Sequence, residues 1–229
     1  MVDELRTEEE QIEALKKWWQ QNGKSLVISV VLAVAVVFGY KAWQNHQVVQ
    51  GEAASDTYFQ LLNALAAVET ATGEKMADAN LATAEHLAGV LKTDFESSTY
   101  AVYAALLVAS QSVTRNDLTE AEAELQWVVD HVDPADAIYP IAKLRLARVV
   151  AASGDEASLQ RALSVMEGLQ AGAYQTSVEE TRGDIYLALG NEEQAREAYR
   201  QSLAAAEAAG MSRPLVTVKL ADLAVQGEG

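Results

Sequence analysis

The chain has 229 residues, half of them hydrophobic, no cysteine, three prolines and a formal charge of −16. Without cysteine it has no disulfide framework, thiolate metal site or thiol nucleophile. So strong an acidic balance excludes nonspecific nucleic-acid binding, which needs a basic surface to meet phosphate.

The acidic N-terminal segment opens on Thr7-Glu8-Glu9-Glu10, the pattern of a capping box. Ile12, Leu15 and Trp19 follow at i, i+3 and i+7 and mark one face of a short amphipathic helix. Asn22-Gly23 is a candidate C-cap that would end this helix before the apolar run. Residues 1–23 therefore read as a tail carrying an interfacial anchor helix.

From Leu26 to Tyr40 the chain carries no charge and is apolar on every face. Counted with its flanks, Gly23 to Trp43, it is long enough to cross a hydrocarbon core of roughly 30 Å. Lys24 and Lys41 can extend their ammonium groups to the two interfaces, and Trp18, Trp19 and Trp43 suit the aromatic belts. Residues 24–46 are expected to be an uncleaved signal anchor in the lipid bilayer, since patterned acidic sequence precedes the run and no small-x-small site follows it. Arg6, Lys16, Lys17 and Lys24 stand before the span and only Lys41 just after it. That bias places the N-terminus in the cytoplasm and the rest across the membrane, a single-pass type II topology. In a Gram-negative cell the exported part is periplasmic. Ala35 and Gly39 form a small-xxx-small pair inside the span.

Residues 47–229 carry nearly all the acidity, a formal −15 by count. Their texture is amphipathic helix broken by short polar turns, with strand alternation nowhere sustained. A helical pair is expected at about Ala53–Val68 and Met76–Leu91. Beyond it a phrase repeats. Gly183, Tyr186, Gly190, Ala195 and Tyr199 hold the spacing of a two-helix tetratricopeptide repeat. Small residues at Gly183 and Ala195 would let the two helices cross closely, with Tyr186 and Tyr199 filling the space beside them. Ala109, Ser112, Asn116, Ala121 and Leu125 hold the same offsets upstream. In the intermediate copy Ala147, Val150 and Gly154 fit, while Ala162 follows Gly154 by eight residues. An insertion in that turn is the expectation. A last helix near Pro214–Val225 would cap the open end. The fold class is all-α: an amphipathic helix, one transmembrane helix and a tetratricopeptide-like solenoid over 47–229.

His46, His86 and His131 are far apart and form no metal-ligand pattern, and no nucleotide-binding or nucleophile-elbow motif occurs. Arg182-Gly183-Asp184 spells an adhesion tripeptide but falls inside an expected helix. No catalytic, cofactor or metal residues are assigned. A repeat groove suits protein binding better than catalysis.

The whole pattern resembles the YfgM family, the ancillary subunit of the SecYEG translocon. The resemblance is carried by Asn22-Gly23-Lys24, Gly39 and Trp43-x-x-His46-Gln47-Val48 around the membrane. In the domain it is carried by Leu144-Arg145-Leu146-Ala147-Arg148-Val149 and by Arg182-Gly183-Asp184 with its repeat. It implies an inner-membrane scaffold that associates with SecYEG and with a membrane-anchored periplasmic chaperone of the PpiD type, and that assists newly exported client proteins. An envelope-assembly or cell-division scaffold is the alternative.

Overall fold

The computed structural model describes residues 8–226. Thr7 of the expected capping box lies outside them. Among the described residues the chain forms helices and no strand.

The first helix, α1, is Glu8–Glu69. It does not stop at Asn22-Gly23. The interfacial segment, the apolar run and the first half of the expected helical pair are one continuous helix. Gly23 stays helical and seats a ring: a Cβ placed there would lie 3.1 Å from Trp19 Cδ2. Asn22 donates through Nδ2 to Trp18 O at 3.1 Å, one turn back, instead of capping a terminus. Ser29, the polar residue in the apolar run, donates through Oγ to Ser25 O at 2.8 Å. Its hydroxyl is thus satisfied within the helix, as hydrocarbon surroundings require. The side chains from Leu26 to Tyr40 are exposed on all faces, and α1 is the one described helix long and apolar enough to cross a membrane.

Two compact units divide the chain, Met1–Ala53 and Ala54–Gly229. The division falls within α1, so the first core residues of the second unit, Ala54, Leu61 and Leu65, belong to that helix. They pack with Ala84, Ala88 and Leu91 of α2 (Glu74–Asp94). The expected helical pair is present, with its first member as the end of α1.

Three further pairs follow: α3 (Thr99–Thr114) with α4 (Leu118–His131), α5 (Ile138–Ala151) with α6 (Glu156–Val165), and α7 (Gln175–Ala188) with α8 (Glu192–Ala208). A short 3-10 turn, Gly172–Tyr174, leads into α7. Helix α9 (Pro214–Gln226) closes the series: Val216 and Leu223 bury against Ala195 and Tyr199 of α8. The core is a chain of local clusters in which each helix meets its neighbours, as in a stacked repeat.

The turns inside the last three pairs each place one residue in left-handed backbone. Asn116, Gly154 and Gly190 have φ of +61°, +75° and +75°. At the end of α7, Gly190 N donates to Leu187 O at 2.9 Å and Asn191 N to Tyr186 O at 2.8 Å. Asn116 N and Asp117 N make the matching bonds to Val113 O and Ser112 O after α3. This left-handed cap stops the first helix of a pair. Asp117 and Asp155 then accept from Glu120 N and Ser158 N and start the second helices.

The expected insertion after Gly154 is absent. Helix α6 begins at Glu156, directly after its Asp155 cap. The small-residue position of its second helix is filled by Leu159, 4% exposed, and Ala162 lies one turn further on. Ala109 to Ala121, Ala147 to Leu159 and Gly183 to Ala195 are each 12 residues. A leucine holds the place where the repeat pattern favours a small residue, and the spacing is unbroken.

Candidate interaction groove

Helices α3, α5 and α7 are the first members of their pairs, and concavities open between them. The first, about 310 Å³, is lined by Leu106, Ala109 and Val113 of α3, Leu125 of α4, and Arg145, Arg148 and Val149 of α5. Its floor is apolar. The second, about 320 Å³, lies between α5, α6 and α7, with Arg148, Leu159, Thr181 and Ile185 among its lining. Arg148 thus borders both. Its Nε donates to Thr181 Oγ1 at 3.0 Å, and that hydroxyl donates in turn to Ser177 O.

Elsewhere the domain pairs its arginines. Arg115, Arg161, Arg182, Arg196, Arg200 and Arg213 each meet a carboxylate. Among the described residues Arg145 and Arg148 meet none.

The last pair holds a second polar assembly. The Tyr199 ring is fully buried, and a Cβ added to Gly183 would stand 2.5 Å from its Cδ1. The helices can cross this closely because Gly183 has no side chain. The Tyr199 hydroxyl donates to Asp184 Oδ1 at 2.7 Å. Lys219 of α9 donates to the same oxygen at 2.6 Å and to Glu180 at 3.3 Å, and its ammonium lies 5.7 Å from the Tyr199 ring centre. Arg213 joins Glu180 at 3.3 Å. Burial first, then the Asp184 contact, pushes the Tyr199 hydroxyl well above its usual range and keeps it protonated. The Asp184 and Glu180 carboxylates raise the Lys219 ammonium, outweighing its desolvation. The adhesion tripeptide is thereby spoken for: Arg182 binds Glu179 and Met166 O, Gly183 admits a ring, and Asp184 holds Tyr199 and Lys219.

A third polar contact is buried near the start of the solenoid. Glu124 is 6% exposed; its Oε1 pairs with Lys92, while its Oε2 is buried without a partner. Desolvation raises this carboxyl above its ordinary range, against the pull of Lys92.

Ala109, Ala121, Ala147 and Ala195 are buried at 2% exposure or less, and Tyr186 is partly buried against the α8–α9 cluster. Trp18, Trp19 and Trp43 are exposed on α1, as are Lys24 and Lys41. Gly183 and Tyr199 meet where α7 and α8 cross. The groove arginines do not stand out as a site in the sequence. Two arginines three residues apart, in a helix whose one other charged residue is Lys143, were the available signal. Among the described residues no group of His, Asp and Glu could hold a metal ion.

A sequence model of the tetratricopeptide repeat-like domain matches residues 16–225. A Haemophilus influenzae protein named ancillary SecYEG translocon subunit is 30% identical, over 85% of this chain and 88% of its own. Proteins of the same name from Aggregatibacter actinomycetemcomitans and Escherichia coli are 31% and 30% identical, over 94% and 84% of this chain and 97% and 85% of theirs. The chain belongs to the tetratricopeptide repeat-like domain family, in the branch that holds the ancillary SecYEG translocon subunits.

Proposed function

We propose that the chain is a non-catalytic inner-membrane scaffold of the SecYEG translocon. Its N-terminus is cytoplasmic and its repeat domain periplasmic, linking the translocon to a membrane-anchored chaperone of the PpiD type and to newly exported proteins. The observation that carries this reading is the near end-to-end match to the translocon subunits, which covers anchor and solenoid together. Repeat domains alone serve many functions and would not support it.

The anchor has the features such a role needs. Lys16, Lys17 and Lys24 on one side of the apolar run, against Lys41 on the other, favour a cytoplasmic N-terminus. Trp18, Trp19, Lys24, Lys41 and Trp43 then serve as interface anchors. The grooves between first helices supply the protein-binding surface, and the acidic exterior keeps the domain away from anionic headgroups.

Copurification tests the association. A tagged full-length chain extracted in mild detergent should recover SecY, SecE and SecG at constant ratio. Recovery of the chain without them contradicts the proposal.

A further inference from the structure

We propose that the α3–α5 groove is the docking site for one dedicated partner protein, which inserts an apolar side chain beside an aspartate or glutamate flanked by neutral or basic residues. The inference deepens the scaffold reading and rests on it.

The apolar half of the site is Leu106, Ala109, Val113, Leu125 and Val149 around a hollow of about 310 Å³. That volume takes one or two side chains, at the small end of the range for specific sites. The charged half is Arg145 and Arg148, exposed, three residues apart on one helix face, with no carboxylate partner among the described residues. Like charges at that spacing repel on a helix surface. The other arginines of the domain relieve their charge on nearby Asp or Glu. These two leave about ten hydrogen-bond donors free, less the Nε of Arg148 that meets Thr181. A carboxylate is the group the guanidinium fork matches best.

The long-range field narrows the occupant. A domain at a formal −15 repels polyanions. The carboxylate must therefore arrive in a segment that is not itself strongly acidic, and basic flanks would meet the surrounding surface. Two guanidinium groups carried three residues apart on one helix, beside a small hollow, favour one spacing of apolar and acidic side chains. Emerging chains of varied sequence do not share such a spacing, whereas one standing partner can.

The test uses the full-length chain in detergent and two labelled peptide probes, Lys-flanked with a Leu-Glu or a Leu-Gln core. Fluorescence anisotropy should show the Leu-Glu probe binding about tenfold or more tightly than the Leu-Gln probe. R145E should reduce that preference, and R145E/R148E should abolish it. R145E is the safer variant, because Arg145 makes no hydrogen bond or ion pair among the described residues and Arg148 holds Thr181. Equal binding of the two probes, or a preference that survives R145E/R148E, overturns the proposal. In cells, a photoreactive residue at Val113 should give one adduct of constant mass whichever cargo is exported. Adducts that change with the cargo assign the groove to clients and also overturn it. SecYEG recovery with the unaltered chain is scored in parallel. Its loss defeats the scaffold reading, while the probe comparison still decides the groove.

Discussion

Gly183 lacks a side chain in a place where Tyr199 already fills the space. Alanine there would gain about 1 kcal/mol of helix propensity. It would also put a methyl 2.5 Å from a ring carbon whose hydroxyl is bonded to Asp184. Overpacking of that kind costs about 1–3 kcal/mol, so the clash wins. We predict that Gly183→Ala lowers the denaturation midpoint of the domain, read by circular dichroism; an unchanged or raised midpoint contradicts the packing. Glu124 gives a pH prediction. Its carboxyl is raised in the folded chain by burial, with Lys92 and Glu120 as the charged groups facing it. A raised carboxyl contributes stability that is full below its ordinary value and is lost as pH rises through the folded value. Relative to Glu124→Gln, the parent should therefore gain stability as pH falls from neutral to about 5. A gap that stays constant or moves the other way refutes the assignment. The Gly183–Tyr199 contact was legible because the repeat fingerprint specifies both residues. The Glu124–Lys92 pair was not, because it joins residues 32 apart on helices that no motif links.

At the scale of elements, patterning reads the solenoid better than the anchor. The helix pairs, the turn at Gly190 and the closing helix all follow from periodicity and capping residues. The continuity of α1 does not. Asn22-Gly23 has the composition of a C-cap, yet Trp19 covers Gly23 and the helix runs on. A glycine in a long apolar helix is ambiguous until its neighbour's ring is placed. The intermediate repeat misleads for the opposite reason. Leu159 is large where the pattern favours a small residue, and this hides the equivalence of positions 12 apart. The common turn geometry gives a prediction at this scale. Gly154→Ala and Gly190→Ala force a Cβ into left-handed backbone and should each cost about 1 kcal/mol. Asn116→Gly, at the equivalent position, should cost nothing or gain a few tenths of that. Denaturant midpoints check this, and a stabilised Gly190→Ala would show that the turn relaxes away from the observed φ.

For the whole molecule, the charge partition matters more than the total. An uncharged stretch separates a short tail from a strongly acidic repeat domain, and the lysines beside that stretch are what set the proposed orientation. The chain has no cysteine, so single cysteines report topology without background. Ser153 is exposed in the turn between α5 and α6, and Glu13 is exposed near the start of α1. In intact spheroplasts, Ser153→Cys should react with an impermeant maleimide, and Glu13→Cys should react only after lysis. The reverse labelling pattern would invert the topology.

The central claim is that this chain sits at the translocon, and the most direct measurement is site-specific crosslinking in cells. A photoreactive residue at Gln47, just beyond the apolar run, should be captured by SecY, SecE or SecG when the full-length chain is expressed at its native level. Adducts that contain no SecYEG subunit, or that contain only division or cell-wall assembly proteins, would contradict the account.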